Sequence, residues 1–234
     1  MRRATAVCLL WLGMCSGTPA AAQITAPGPP GPYVIDVRGA VSPIPQDAGF
    51  FPPRPAATNT PARGFGIEVG GHVYLKQFGP ARLGLGVSAL GVRGTASPVA
   101  PASGSTAVAA AATAPDVDAT LVVLAPQLSL NFGSADGWSY VSAGVGRAQV
   151  TTGTSVFGGG GSGAAETPAR SVDSGTRSTA NVGAGARWLA KEHLGFSFDV
   201  RLHVVSAGAA EGTAEGTATP RTMLVVASAG ISLR

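Results

Sequence analysis

Residues 193–204, which read HLGFSFDVRLHV, alternate without a break between two kinds of side chain. Every even-numbered residue is apolar, and every odd-numbered residue is charged, polar or small. Because successive side chains of a β-strand point to opposite sides, this period of two predicts a strand with two unlike faces. The same pattern predicts eight strands, at 33–40, 65–76, 81–94, 119–132, 138–150, 177–189, 193–205 and 221–233. Beyond the first 20 residues, no stretch sustains the period of an amphipathic helix.

The connections between these strands alternate in length along the chain. The short ones lie at 77–80, 133–137 and 190–192, and the long ones lie at 41–64, 95–118, 151–176 and 206–220. This order places every long connection at one end of an up-and-down meander, which is typical of β-barrels that cross a membrane. Most of the strands reach the roughly 9–11 residues that a tilted membrane-crossing strand needs. The sequence therefore predicts an all-β fold, an eight-stranded antiparallel up-and-down transmembrane β-barrel.

The first 22 residues have the organisation of a secretory signal peptide. Arg2 and Arg3 precede a short apolar stretch, and three consecutive alanines at 20–22 offer a cleavage site. The predicted division of the chain is a signal peptide at 1–22, an N-terminal periplasmic segment at 23–32 and an outer-membrane barrel domain at 33–234.

Both cysteines, Cys8 and Cys15, lie in the predicted signal peptide. Acylation of Cys15 is an alternative use of this segment, but the bulky Met14 stands where a small residue should precede the cysteine. Cleavage after Ala22 leaves a mature chain with no disulfide and no thiolate metal ligand. The formal charge of +4 comes mostly from arginines scattered along the chain, which argues against nucleic acid as a partner.

The polar rows of the predicted strands carry charged side chains interspersed with glycines. The lumen of an eight-stranded barrel is just wide enough for side chains to fill, and a glycine leaves room for an arginine from the opposite wall. We therefore predict that Arg–carboxylate pairs fill the lumen and that the apolar rows face lipid. The predicted ionic network consists of Asp36, Arg38, Glu68, Arg82, Arg187, Asp199 and Arg201. A soluble barrel or sandwich that exposes these charges to water is the alternative.

Aromatic residues concentrate at the end of the predicted barrel that carries the short turns. Aromatic rings favour the headgroup region of a bilayer, which accommodates both an apolar body and a polar edge. The predicted interfacial girdle consists of Tyr74, Phe132, Trp138, Trp188 and Phe196. The other end has few aromatic residues, and its Phe50–Phe51 pair is expected to pack against the barrel rim, with a contact to a partner as the alternative.

Two strand segments, YVSAGVGRA at 140–148 and NVGAGARW at 181–188, are of a kind common in small barrels. Together with the signal peptide, the strands and the loop order, they make residues 33–234 resemble the small eight-stranded outer-membrane β-barrels, the OmpA-like and OmpX-like proteins. The resemblance implies a Gram-negative-type outer membrane, with outer-membrane lipid around the barrel and the barrel-assembly machinery as a partner during biogenesis. Such barrels usually end in an aromatic residue, whereas this chain ends in Arg234.

The sequence predicts no catalytic residue, no cofactor and no metal site. The run FGGGGSG lacks the lysine and the hydroxyl residue of a phosphate-binding loop. His193 and His203 lie on one strand about 33 Å apart and cannot share a metal ion. We expect a structural or surface-interaction protein that works through its four long loops, without an assigned ligand. A narrow channel or small-ligand-binding barrel is the second possibility, and a lipid-modifying barrel enzyme is the third.

Overall fold

The computed structural model describes residues 31–52, 59–97, 116–134, 136–155, 170–209 and 218–234. Its strands are β1 (Tyr33–Pro43), β2 (Arg63–Phe78), β3 (Ala81–Ala96), β4 (Asp116–Ser134), β5 (Gly137–Ser155), β6 (Arg170–Asp173), β7 (Arg177–Leu189), β8 (Leu194–Val205), β9 (Gly208–Ala209), β10 (Ala218–Thr219) and β11 (Thr222–Leu233). A single turn of 3-10 helix spans Ala48–Phe50. Within the described ranges, no helix has both the length and the apolar character to traverse a bilayer. The predicted signal peptide at 1–22 and most of the segment at 23–32 lie outside these ranges.

Eight of the strands close into one antiparallel barrel. The order around the barrel is β1, β2, β3, β4, β5, β7, β8 and β11, and β11 pairs with β1 to complete the ring. The register places Arg38 opposite Glu68, and Asp36 opposite Ser232. The predicted eight-stranded up-and-down barrel is confirmed, because each long strand pairs with its neighbours in chain order.

Several strands extend further toward the long-loop end than the sequence pattern predicts. β4 and β5 stay paired as far as Asp116 and Ser155, and β6 adds a short strand beside β5. The predicted loop boundaries are therefore wrong, since strand residues occupy parts of 41–64, 95–118, 151–176 and 206–220. The added end of β5 lacks the alternation between apolar and polar residues, although the threonines at 151, 152 and 154 suit a strand. The added end of β4 does alternate, with Val117 and Ala119 buried between Asp116, Asp118 and Thr120.

The two faces of each barrel strand have opposite environments. On β8, Phe196 and Phe198 lie on the outer surface and are 62% and 45% exposed. Asp199 and Arg201, on the other face of the same strand, are buried inside the barrel. The barrel therefore carries large apolar side chains on its outside and charged groups in its lumen.

The lumen contains three layers of side chains along the barrel axis. A small apolar floor of Val34, Tyr74 and Trp138 lies at the short-turn end. Charged and polar side chains form the middle layer, and an apolar core fills the half toward the long loops. The members of the apolar core are Ala40, Ile44, Phe50, Phe51, Leu90, Val92, Val117, Ala119, Leu121, Val123, Ala148, Val150, Val205, Leu224 and Val226.

The apolar core corrects the prediction that ionic pairs fill the lumen, because those pairs occupy only its lower part. Strand β4 shows why the pattern fails there. Leu121 and Val123 point inward, and Val122 and Leu124 point outward, so both faces are apolar. A strand of this kind has no polar row from which the inward direction can be read.

Phe50 and Phe51 cover the apolar core at the long-loop end. The two rings are 3% and 5% exposed and belong to the core cluster. The hydroxyl of Thr152 donates a hydrogen bond to the carbonyl of Phe50 and so anchors the 3-10 turn to β5. The expectation that this aromatic pair packs against the barrel rim is confirmed, and the pair also closes the barrel from above.

Candidate functional site in the barrel lumen

Asp36 on β1 is the most highly connected acid of the middle layer. Its carboxylate accepts three hydrogen bonds from Arg187: Nε donates to Oδ1 at 3.0 Å and to Oδ2 at 3.2 Å, and Nη2 donates to Oδ2 at 2.6 Å. Arg38 Nη2 also lies 2.6 Å from Asp36 Oδ2, and the Ser232 hydroxyl donates to Oδ1 at 2.5 Å. Asp36 is completely buried, so its negative charge is balanced by neighbouring side chains instead of water.

Arg38 connects Asp36 to a second carboxylate. Its Nη1 atom lies 3.4 Å from Glu68 Oε2, and its Nε atom donates to the Ser197 hydroxyl at 3.0 Å. Glu68 in turn accepts a hydrogen bond of 2.5 Å from the Ser228 hydroxyl. Strands β1, β2, β8 and β11 are thereby tied together inside the barrel.

The third acid, Asp199, forms a pair with Arg201 on the same strand. Arg201 Nη2 lies 3.0 Å from Asp199 Oδ2, and Arg201 Nη1 donates to the Asn181 side-chain oxygen at 2.8 Å. The Tyr140 hydroxyl donates to Asp199 Oδ2 at 2.7 Å and accepts a bond of 3.2 Å from Arg38 Nη2. Tyr140 therefore joins the Asp199–Arg201 pair to the network around Asp36.

The guanidinium of Arg187 lies between the charged layer and the aromatic floor. Its Cζ atom is 4.1 Å from the centroid of the Tyr140 ring and 5.9 Å from that of Trp138. Its Nη2 atom is 3.5 Å from His72 Nδ1. Ring faces stabilise a buried cation electrostatically, so the aromatic groups supplement the bidentate bond to Asp36.

We call the six buried charged residues of this network the ionic layer. Its members are Asp36, Arg38, Glu68, Arg187, Asp199 and Arg201. Three carboxylates balance three guanidiniums, and every member has an oppositely charged partner. A buried charge without such a partner is strongly destabilising, so the layer is stable only as a set.

Arg82, the seventh predicted member, lies elsewhere. It is half-buried near the short-turn mouth, and its Cζ atom is 5.7 Å from the centroid of the Tyr74 ring. Arg82 therefore packs beneath the aromatic floor, whereas the ionic layer lies above it.

The prediction that Tyr74 and Trp138 belong to an exposed girdle is wrong. They are 5% and 3% exposed, their rings meet edge to face at a centroid distance of 6.1 Å, and Trp138 Nε1 donates to the Tyr74 hydroxyl at 3.0 Å. The direction of a strand side chain follows from its position in the alternation, and these two residues share rows with the inward-facing His72 and Tyr140. The other girdle residues, Phe132, Trp188 and Phe196, are exposed on the outer surface.

Glycines make room for the large lumen side chains, but with a different geometry from the predicted one. Gly183 lies opposite Arg201 and Gly185 lies opposite Tyr140 in the strand pairing. A Cβ atom added to Gly185 would lie 2.5 Å from the Tyr140 ring, and one added to Gly183 would lie 3.1 Å from Arg201 Cζ. At these two positions the space thus serves a side chain of the adjacent strand, where an arginine from the opposite wall was expected.

Several uncharged contributors to the network were not predicted from the sequence. Tyr140 belongs neither to the predicted ionic network nor to the predicted girdle, and the same is true of the serines at 228 and 232. The direction of Tyr140 could have been predicted from its neighbours on the same face of β5. These are Ser142 and Gly144, which are unsuited to an apolar outer surface. Position in the alternation was thus more informative than residue type.

The arrangement is suited to bracing the wall and obstructing the lumen. Its charged groups pair with one another, and the floor and the apolar core lie below and above them. Among the residues that the structure describes, no three His, Cys, Asp or Glu side chains are close enough together to hold a metal ion.

This chain is similar to known proteins in its three-dimensional structure, and no similarity was found at the level of sequence families. No protein-family model matches the sequence, and no curated protein matches it. The structure is similar to the outer membrane protein OprG from Pseudomonas aeruginosa, with a TM-score of 0.51 and 12% identity over 88% of this chain and 97% of that one. It is also similar to Neisserial surface protein A, with a TM-score of 0.47 and 12% identity over 86% and 96% of the two chains. The outer membrane protease OmpT from Escherichia coli matches with a TM-score of 0.42 and 10% identity, over 74% of this chain and 64% of that one.

The similarity to OprG is one of fold, since the sequence identity is low. With eight antiparallel strands closed in chain order, the fold is that of the small eight-stranded outer-membrane β-barrels. The resemblance indicated by the sequence is confirmed at this level.

Proposed function

We propose that this chain is an integral outer-membrane β-barrel protein with a structural or surface-interaction role and a lumen that does not conduct. The supporting observation is the reversal of polarity across the barrel wall, with large apolar side chains outside and paired charges inside. In water, such a wall would expose a continuous apolar surface, which is unfavourable. Hydrocarbon around the barrel removes that cost.

The height of the wall suits a bilayer. Strand β8 has 12 residues and extends from the short turn to the long-loop end. At about 3.4 Å per residue and a tilt of about 40°, it rises about 30 Å. The hydrocarbon core of a typical bilayer is also about 30 Å thick. Phe132, Trp188 and Phe196 supply exposed rings near one edge of this span.

The side chains in the lumen support the absence of conduction. An ion that enters from the short-turn end meets the Tyr74–Trp138 floor, then the ionic layer and finally the apolar core under Phe50 and Phe51. Passage requires rearrangement of all three layers, because each is packed or hydrogen-bonded across the barrel.

In the proposed orientation, the short turns face the periplasm and the four long connections face the outside of the cell. Any surface interaction then depends on these connections, and outer-membrane lipid surrounds the wall. The barrel-assembly machinery inserts the chain during biogenesis. The proposal contains no enzymatic step, since the lumen carboxylates and guanidiniums are engaged with one another.

Electrophoretic mobility tests the membrane assignment. A folded barrel of this kind resists detergent, so boiled and unboiled samples of the full chain should migrate differently, and the protein should fractionate with outer membranes. Boiled and unboiled samples of a soluble periplasmic protein, run in parallel, provide the control. Equal mobility together with recovery in the soluble fraction would contradict the proposal.

Planar-bilayer recordings test the closed lumen separately. Wild-type protein should add no stepwise conductance, whereas a general porin in the same apparatus should do so. Reproducible conductance steps from protein that shows heat-dependent mobility would contradict the closed lumen while leaving the membrane assignment intact.

A further inference from the structure

The outer wall of the barrel carries a groove of about 750 Å³ across β4, β5, β7 and β8. Its apolar lining includes Leu124, Val145, Ala180 and Val204. Leu124 and Val145 are 55% and 68% exposed, so the groove opens away from the lumen. The volume lies within the range of about 300–1,000 Å³ that is usual for small-molecule sites.

The local sequence explains why the wall is recessed here. The pairing between β4 and β5 stops after Leu124 and resumes at Gln127. Pro126 lies in this interval and lines the groove, and proline has no N–H to donate to a neighbouring strand. The facing strand contributes Gly146, where an added Cβ atom would lie 2.6 Å from Ala125 Cα, so that no larger residue fits beside β4 at this point.

Two arginines, Arg147 and Arg221, also line the groove. Ser178 and Ser206 lie between them in the strand order, and the Ser206 N–H donates to the Ser178 carbonyl at 2.9 Å. Both arginines are exposed, and neither forms an ion pair with a carboxylate among the described residues. The groove thus combines an apolar lining with two exposed positive charges.

These arginines stand at the level of one membrane interface. Arg221 directly precedes β11, and the next residue, Thr222, lies opposite Val205 at the end of β8. Val205 is about 30 Å above the short-turn end by the strand geometry given above. A lipid-facing arginine is tolerated near an interface, where it attracts anionic headgroups.

Two other grooves on the outer wall provide a comparison. One has a volume of about 420 Å³ and includes Phe65 and Phe198, and the other has a volume of about 370 Å³ and includes Leu128 and Val141. Among the residues that the structure describes, no charged side chain lines either of them. Bulk hydrocarbon is sufficient to cover these two, whereas the first groove also offers contacts for an anionic headgroup.

We propose that the first groove binds a lipid of the outer leaflet whose phosphate headgroup carries a net negative charge. An acyl chain lies along Leu124, Val145 and Val204, and the phosphate oxygens accept hydrogen bonds from Arg147 and Arg221. Guanidinium groups are well suited to phosphate because they present several donors in a planar fork. The inference rests on the proposed function, since it requires a barrel embedded in a membrane with its long loops outside.

Native mass spectrometry of the full chain tests this site. The protein is released from detergent micelles that contain either phosphatidylglycerol or phosphatidylcholine with the same acyl chains. Wild-type protein should retain phosphatidylglycerol about fivefold more than phosphatidylcholine, as expected for two partly exposed charge contacts. The Arg147→Gln/Arg221→Gln variant should lose this preference. Arg63→Gln/Arg93→Gln removes the same charge from exposed arginines on β2 and β3 and should retain the preference.

The possible outcomes separate specific binding from general attraction. Equal loss in both double variants, or equal retention of the two lipids by the wild type, would overturn the proposal. Val145→Trp fills the groove between Leu124 and Val204 and should reduce retention of phosphatidylglycerol. Unchanged retention would also overturn the proposal. Heat-dependent mobility is measured for every variant in parallel. If the wild-type protein shows no heat-dependent mobility, the proposed function is contradicted. If it shows heat-dependent mobility but no preference for phosphatidylglycerol, only this inference is contradicted.

Discussion

The ionic layer and the apolar core lie at different heights inside the same barrel and fill it with opposite chemistry. In the ionic layer, Asp36, Arg38 and Arg187 are held by directional bonds of 2.6–3.0 Å. In the apolar core, side chains such as Leu121 and Val123 make no polar contacts and are stabilised by burial. A loss from the first leaves an uncompensated charge, and a loss from the second leaves a cavity. The lower half therefore depends on exact partners, whereas the upper half depends on volume.

Among the substitutions that test this difference, replacement of Asp36 by asparagine should lower the free energy of unfolding the most. Asp36→Asn leaves Arg187 and Arg38 buried with only Glu68 near Arg38 to balance them. We expect the free energy of unfolding to fall by about 3–5 kcal/mol. Urea titration of the refolded protein in micelles measures this change.

The matched control is Asp118→Asn at the long-loop rim. Asp118 pairs with Arg93 at 3.0 Å, but the Arg93 side chain is 69% exposed. Water screens this pair, so we expect a loss below about 1 kcal/mol. Equal losses from Asp36→Asn and Asp118→Asn would show that the ionic layer is solvated in solution.

Truncation of Leu121 tests the apolar core. Leu121 is completely buried, and Leu121→Ala should lower the free energy of unfolding by about 3 kcal/mol through lost burial and a residual cavity. Leu128→Ala makes the same chemical change at an outer position that is 55% exposed, and it should cost much less. Urea titration of both variants measures this difference. If Leu128→Ala lowered the free energy of unfolding as much as Leu121→Ala does, the result would be incompatible with an apolar interior around Leu121.

Removal of the Tyr140 hydroxyl should have the smallest effect of the three. Tyr140→Phe keeps the ring against Arg187 but deletes the bridge between Arg38 and Asp199. We expect a loss of about 1–2 kcal/mol, since both charged groups retain other partners. Tyr33→Phe, at a position that is 49% exposed, is the control and should leave the urea midpoint unchanged. Equal urea midpoints for Tyr140→Phe and Tyr33→Phe would show that the hydroxyl bridge between Arg38 and Asp199 does not stabilise the barrel.

The strands and their inward rows were predictable because alternation is a local property. Phe198 and Asp199 are adjacent in sequence and must face opposite sides of any strand. The same rule places Tyr74 and Trp138 inside, and here it prevails over the general preference of aromatic residues for membrane interfaces. The apolar core was not predictable from β4, where residues 119–125 have apolar side chains on both faces.

The partners in the ionic layer were beyond the reach of the sequence. Asp36 and Arg187 are separated by 151 positions, and the chain offers several acids and arginines in similar rows. Which groups meet depends on the relative height of strands on different sides of the barrel. The pairing of β1 with β11 and the register of each neighbouring pair set those heights.

By itself, the sequence determined the eight strands, the order of long and short connections and the side of the wall on which most charged residues lie. It could do so because a two-residue period and a loop length involve only neighbours along the chain. Only the tertiary structure decided that Asp36 binds Arg187, that Tyr140 joins the two charge pairs and that the upper lumen is apolar. Those contacts arise across a closed barrel, where register and packing bring together residues that no local pattern relates.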